Sequence, residues 1–441
     1  MQIDQTTLYD LSIFHADETQ SVFHHLNHTQ TANGRMLLAE ILSHPLDSVS
    51  AIKEVQDTIR TLQAHGDMIP QTITNGTLMV IEKFFETGLD ALPSHPNAIN
   101  TFLYQLFSKP DFSLAKYSVN HFATFIRGMK RIETILLEAE GKQLRTWGER
   151  VSMLLRPATI QELLNGAFII SPSNILRYAY FLQKEYKNKC RELIELYSKI
   201  DAYRSLAICS NLHGYHFPEV CNNDTPSIHI EGLYHPLLQS PVAYTTSLDK
   251  EQNFLFLTGA NMAGKSTLIK AIGISVYLAH IGMAVPASKM KISYLDGLLS
   301  NIQVTDNIVK GESYFYNEVQ RIKQTIEKIS DGNKWLILID ELFKGTNVQD
   351  AMKCSTVVIE GFCRMPKALF VLSTHLYEIG YNLQAQNNIQ FRYFETAVEN
   401  NELQFSYQLK EGISNDRLGY LIMEREGVVE LLKGKFDNLI I

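Results

Sequence analysis

The chain is 441 residues long, more than one hydrophobic core ordinarily serves, so two or three domains are expected. With 45% hydrophobic and 20% charged residues, it has the balance of a folded soluble protein and not of a disordered one. Its net charge of −7 gives no bulk support for nucleic-acid binding, although local patches rather than totals decide such binding.

From the N-terminus, Met1-Gln-Ile-Asp lacks the basic, apolar, small-residue order of a secretory signal. The segments Thr31–Leu42, Ser48–Gln63, Val119–Glu138 and Ser173–Ala207 repeat apolar residues at three-to-four spacing, which predicts helices. As a single helix the last would run roughly 50 Å at 1.5 Å per residue, the length of a lever or strut. Two ordinary helices in succession satisfy the same pattern. The five cysteines, Cys190, Cys209, Cys221, Cys354 and Cys363, are odd in number, dispersed and without a CxxC pair. They argue against a disulfide framework or zinc site and fit a reducing, cytoplasmic setting.

Turn formers cluster at Pro218–Pro226, the best domain boundary. Beyond it, Phe254–Leu257, Trp335–Ile339 and Ala368–Leu372 are short continuous apolar runs, as expected of strands buried on both faces. Helical patterns alternate with them. The expected fold class is α plus α/β: an all-helical domain over 1–225, then an α/β domain over 226–441 with a mainly parallel sheet. The apolar stretch Ala271–Val285 is shorter than the ~20 residues of a membrane span and predicts a buried helix. No membrane association is expected.

The chemistry concentrates in three places. Gly259-Ala260-Asn261-Met262-Ala263-Gly264-Lys265-Ser266-Thr267 fits GxxxxGK[ST], with a predicted strand running in and a helix, from about Lys265 to Ile281, running out. Glycines let backbone N–H groups curl around a phosphate, and the helix N-terminus adds partial positive charge. Lys265 would reach the β- and γ-phosphates of ATP, and the Ser266 hydroxyl would ligate Mg²⁺. Second, the strand Trp335–Ile339 ends in Asp340 and Glu341. Asp340 can hold Mg²⁺ through water, and Glu341 can position the attacking water. Third, Leu369–Thr374 leads to His375, an imidazole able to donate to the γ-phosphate or the water.

Together these residues resemble the MutS family, the ABC-type ATPases of DNA mismatch repair. The resemblance is specific over Thr258–Ala287: general nucleotide loops lack Asn261-Met262 before Gly-Lys and the tail Ile281-Gly-Met-Ala-Val-Pro-Ala287. Asp340-Glu-Leu-Phe-Lys-Gly-Thr346 and Ser373-Thr-His375 look like two further family segments. Gly311-Glu-Ser313-Tyr-Phe315 sits where the family has Gly-x-Ser-Thr-Phe; the resemblance implies that Ser313 completes the ATP site of a second subunit in a homodimer. By residue pattern alone, the same segment could simply cap the predicted helix Tyr314–Ile329. A weaker likeness extends upstream through Thr31-Ala-Asn-Gly-Arg-Met-Leu-Leu38 and Ile228–Leu237.

Some features depart from the family pattern. The chain is expected to begin inside the helical core, with no room for the mismatch-reading and connector domains and with a DNA clamp absent or reduced. After the ATPase domain only a short helical tail, Glu424–Ile441, is expected. Where an aromatic often stacks on adenine stands Val242, with Tyr244 nearby. The resemblance implies double-stranded or branched DNA as partner. From the residues alone, the basic clusters Lys184, Lys187, Lys189, Arg191 and Arg127, Lys130, Arg131 read as solvated helix faces in preference to phosphate contacts. An ATP-driven switch acting on a protein or ribosome is the alternative.

Overall fold

The computed structural model describes residues 1–66, 69–89, 92–165, 171–303, 314–399 and 402–414, with 423, 427, 428 and 431. The chain forms two compact units. One comprises Met1–His25, Pro45–Ile52 and Gly214–Ile441, the other Leu26–His44 and Lys53–His213.

The first unit is built on two sheets. In chain order its strands are β1 (Gln2–Ile3), β2 (Glu219–Cys221), β3 (Ile228–Leu233), β4 (Tyr244–Leu248), β5 (Phe254–Thr258), β6 (Lys289–Ser293), β7 (Gly297–Asn301), β8 (Trp335–Asp340), β9 (Ala368–Ser373), β10 (Ile389–Glu399) and β11 (Glu402–Glu411). The larger sheet has the order β1-β7-β8-β9-β5-β10-β11. Every neighbouring pair is parallel except β10 with β11. The smaller sheet, β2-β6-β3-β4, is mixed. The three apolar runs form the sheet centre, and β5 and β9 are buried at every position, as strands covered on both faces must be. Phe254, Phe370 and Phe362 stack with centroids 5.5 and 4.6 Å apart. At Gly297 a Cβ would lie 2.0 Å from the Trp335 ring, so the sheet admits only glycine beside that indole.

The apolar helix after the glycine loop spans Lys265–His280 and is almost wholly buried. His280 is accommodated there as a neutral ring. Its Nε2 accepts from Leu295 N at 3.0 Å, which leaves Nδ1 to donate to Val276 O at 2.8 Å. Burial depresses its pKa to about 4. Among the described residues, no helix is long and apolar enough to cross a membrane.

The second unit has no strand among its described residues. Its long helices are Lys109–Glu138 and a continuous run in which Pro172–Phe181 passes through a π-helical segment, Leu182–Tyr186, into Lys187–His213. The choice left open by sequence thus falls between its alternatives: one helical run, roughly 60 Å at ~1.5 Å per residue, interrupted by a π segment. The Thr31–Gly34 motif acquires a structural reason here. Asp201, buried in that run, accepts from Gln30 N (3.0 Å), Thr31 N (3.0 Å) and Thr31 Oγ1 (2.7 Å). A Cβ at Gly34 would lie 2.2 Å from the Asp201 carboxylate. Desolvation raises the Asp201 pKa against those hydrogen bonds.

The first 25 residues differ from the sequence reading, which placed them in the helical domain. They lie in the sheet unit. β1 pairs with β7, and buried Asp10 accepts from Ser300 Oγ (2.6 Å), Ile302 N (3.0 Å) and Gln303 N (3.2 Å). A two-residue strand leaves no periodicity to read. The change of unit falls at His213/Gly214, ahead of the expected boundary at Pro218–Pro226. Nearly all of the tail Glu424–Ile441 lies outside the described residues.

Candidate functional site

Three strands deliver the motif residues to one edge of the larger sheet. β9 lies between β5 and β8, so the ends of the three strands stand side by side. Thr374 N donates to Leu257 O at 3.0 Å and Glu341 N to Ser373 O at 2.9 Å. These cross-links fix the glycine loop, the acidic pair and the Ser-Thr-His segment relative to one another.

The loop turns through left-handed backbone at Gly259 (φ +134°), Met262 (φ +69°) and Gly264 (φ +109°). Gly264 is the helix N-cap and offers no side chain, leaving the first-turn amides without an internal partner. Lys265 is 6% exposed, and its Nζ donates to Gly259 O (2.7 Å) and Ala260 O (2.9 Å). Burial lowers its pKa, while Glu341 and Asp340 act in the opposite sense. The ammonium is thus solvated by two backbone carbonyl oxygens, with the Glu341 and Asp340 carboxylates nearby.

At the end of β8, Asp340 accepts a hydrogen bond from Ser373 Oγ. Glu341 sits in the left-handed region at φ +68° and Phe343 at φ +57°, a sparsely populated conformation for such side chains. The Glu341 carboxylate lies 3.2 Å from His375 Nδ1 and 3.4 Å from Lys344 Nζ. The His375 hydrogen bond, with Lys344 beside it, holds its pKa down to about 2. Glu318, on the helix Tyr314–Ile329, holds the backbone of this turn. It accepts from Lys344 N at 3.0 Å and Gly345 N at 3.1 Å from a buried position where desolvation raises its pKa.

A cavity of about 580 Å³ opens at this edge. Of the sequence-selected residues, Ala260, Asn261, Met262, Gly264, Lys265, Ser266, Thr267, Asp340 and Glu341 line it. Gly259 and Ala263 are not among the lining residues; Gly259 enters through its carbonyl on Lys265, and Ala263 is buried. His375 is likewise not in the lining and is linked through Glu341. Ser313 lies outside the described residues. Val242 and Tyr244 both reach the cavity. The sequence reading missed Lys344, Glu318, Tyr407 and His235. Lys344 lies within the acidic segment Asp340–Thr346 itself. Tyr407 comes from antiparallel β11, which has no motif to mark it. His235 lines the cavity with a pKa depressed to about 4, chiefly by burial.

A helical unit in one chain with a mostly parallel α/β unit, one of whose interior strands turns through a glycine-rich loop into a helix, defines the α plus α/β class. The family within that class follows from comparison. The family model for MutS domain III matches residues 6–214 and that for MutS domain V residues 255–432. The chain belongs to the MutS family.

Similar proteins include the DNA mismatch repair protein MutS of Petrotoga mobilis, 28% identical over 247 residues (55% of this chain, 30% of that protein). The protein of the same name from Halalkalibacterium halodurans is 25% identical over 276 residues (60% and 31%). That of Streptococcus pyogenes serotype M1 is 26% identical over 282 residues (61% and 32%). The chain therefore spans less than a third of the length of these relatives.

Proposed function

We propose that this chain binds and hydrolyses ATP with Mg²⁺ and uses the cycle to act on DNA, as the names of its relatives suggest for them. The observation that carries the reading is the meeting of Lys265, Ser266, Asp340 and Glu341 around one cavity. In this reading the loop amides and Lys265 bind the phosphates, the lysine exchanging carbonyl partners for phosphate oxygens. The Ser266 hydroxyl and the Asp340 carboxylate are hard oxygen donors of the kind Mg²⁺ takes, and both line the cavity. Bound Mg²⁺ would offset charge on the phosphate oxygens.

Glu341 stays ionised at any physiological pH and accepts a hydrogen bond from the attacking water, orienting it toward the γ-phosphorus. His375 steadies that carboxylate and supports the γ-phosphate. Ser313 completes the site of a second subunit, giving a homodimer with composite sites. Val242, Tyr244 and Tyr407 offer the surface on which adenine would lie.

A second reading is an ATP-driven switch on a protein or ribosome partner, and one observation favours it. Part of the basic side chain set is engaged within the chain: Lys187 donates to Phe85 O at 2.8 Å and Lys130 lies 2.6 Å from Glu133. Hydrolysis measured in parallel with homoduplex, mismatched, branched and no DNA separates the two. Stimulation that fades with salt is expected for the DNA reading. A rate indifferent to every DNA would count for the alternative.

A further inference from the structure

One helix of the helical unit has its burial inverted. In Ala98–Phe107 the buried residue is Thr101, whose hydroxyl lies 3.1 Å from Ser173 Oγ. The large apolar residues point outward: Ile99, Phe102, Leu103, Leu106 and Phe107 are 75, 63, 45, 61 and 78% exposed. The helix does not depend on burying them for its form. Asn97 Oδ1 accepts from Ile99 N (3.0 Å) and Asn100 N (2.9 Å), and Asn100 Oδ1 accepts from Asn97 N (2.7 Å), a closed capping box.

The five residues fall at i, i+3, i+4, i+7 and i+8. That is one continuous stripe of the width with which a helix packs on another helix. It exposes on the order of 500–600 Å² of apolar area, taking 150–250 Å² for a large aromatic side chain and somewhat less for an aliphatic one. A patch of that size stands at the upper end of the largest found on ordinary monomers, which are often functional.

We propose that this helix is a homotypic docking surface, seated against the same helix of a second copy of the chain. Asn97–Phe107 contains no charged residue, so two copies meet without repulsion, while nucleic acid or a charged protein finds no counter-charge there. A helix made for a membrane surface would carry lysine or arginine beside its apolar face. A two-fold pairing presents the stripe to itself. It would bury at most roughly 1,000–1,200 Å² in total, at the lower edge of specific interfaces. Such a contact is weak by itself and serves as one of several points of dimer contact.

The test is cross-linking of the full-length chain. Leu103→Cys, near the middle of the stripe, is treated with a short bis-maleimide beside the protein without the added cysteine. A covalent dimer well above that background is expected. Adding Phe102→Glu and Phe107→Glu to the cysteine variant should cut it at least tenfold, with the thermal midpoint unchanged because both side chains are exposed. The same pattern is expected with Lys265→Ala also present, so the outcome does not hinge on nucleotide binding. The proposal is overturned by a dimer yield no higher than background or by one that the two glutamates leave unchanged. It is equally overturned if the introduced thiol is unreactive in dilute protein, meaning that the same chain covers it. Charge-sensitive binding to phosphatidylcholine vesicles without cross-linking would assign the stripe to lipid and overturn it as well.

Discussion

The two units use the same kinds of residue to opposite ends. In the sheet unit, strand ends bring the charged groups Lys265, Asp340 and Glu341 within one cavity. In the helical unit, buried polar groups serve the scaffold: Asp201 holds the start of Ala32–Ser43, and Tyr186 donates to Leu154 O at 2.6 Å. The difference teaches how to read a buried charge. Asp201 has its hydrogen bonds satisfied by neighbouring backbone, whereas Lys265 rests on two carbonyl oxygens that a phosphate can replace. The first is architecture; the second, in the proposed reading, is the group that a phosphate engages.

Substitutions can break this comparison. The largest effect is expected of Lys265→Ala, which should weaken ATP binding by about a hundredfold or more, since a charge-assisted contact worth roughly 1.5–3 kcal/mol and its steering are both lost. Isothermal titration checks it, and the thermal midpoint should hold or rise. Asp201→Ala should do the reverse. Nucleotide affinity should stay within twofold, while stability falls by about 2–4 kcal/mol, because the buried Thr31 N–H, the half-buried Gln30 N–H and the Thr31 hydroxyl lose their acceptor. Denaturant unfolding measures that loss.

A smaller effect sharpens the site itself. Glu318→Ala should lower the turnover number about tenfold with ATP affinity retained, because it releases the turn that holds Glu341 and Lys344 and touches no loop amide. Mixing Lys265→Ala with Ser313→Ala protein should restore activity through one intact composite site per heterodimer. Absence of any recovery would count against sharing across a dimer.

The smallest effect concerns pH. A carboxylate held at about 2 against an ordinary 4.5 adds stability above about pH 4.5 and loses it as pH falls through 2. Turnover of the unaltered chain between pH 8 and pH 5 should therefore show no acid limb from protonation of Glu341.

The sheet unit was largely legible in sequence because its signals are local. Phe254–Thr258, Trp335–Asp340 and Ala368–Ser373 are mainly apolar runs, and each leads directly into a motif segment. The placement of β9 between β5 and β8 was not legible, since pairing order leaves no trace in a single strand. Tyr407 and Glu318 reach the site through antiparallel pairing and through a helix whose motif lies before it, so no spacing rule finds them. In the helical unit the long periodic helices were legible, but the outward stripe of Ala98–Phe107 was not. Its periodicity resembles that of a core helix, and only the exposure of its side chains separates the two.

The most direct test of the central claim is ATP turnover by Glu341→Ala beside the unaltered chain, with ATP affinity measured on both. The account predicts affinity within a fewfold and turnover reduced by at least about a hundredfold. Turnover that survives the change, or affinity that disappears with it, would contradict the assignment of Glu341 as the residue that orients water.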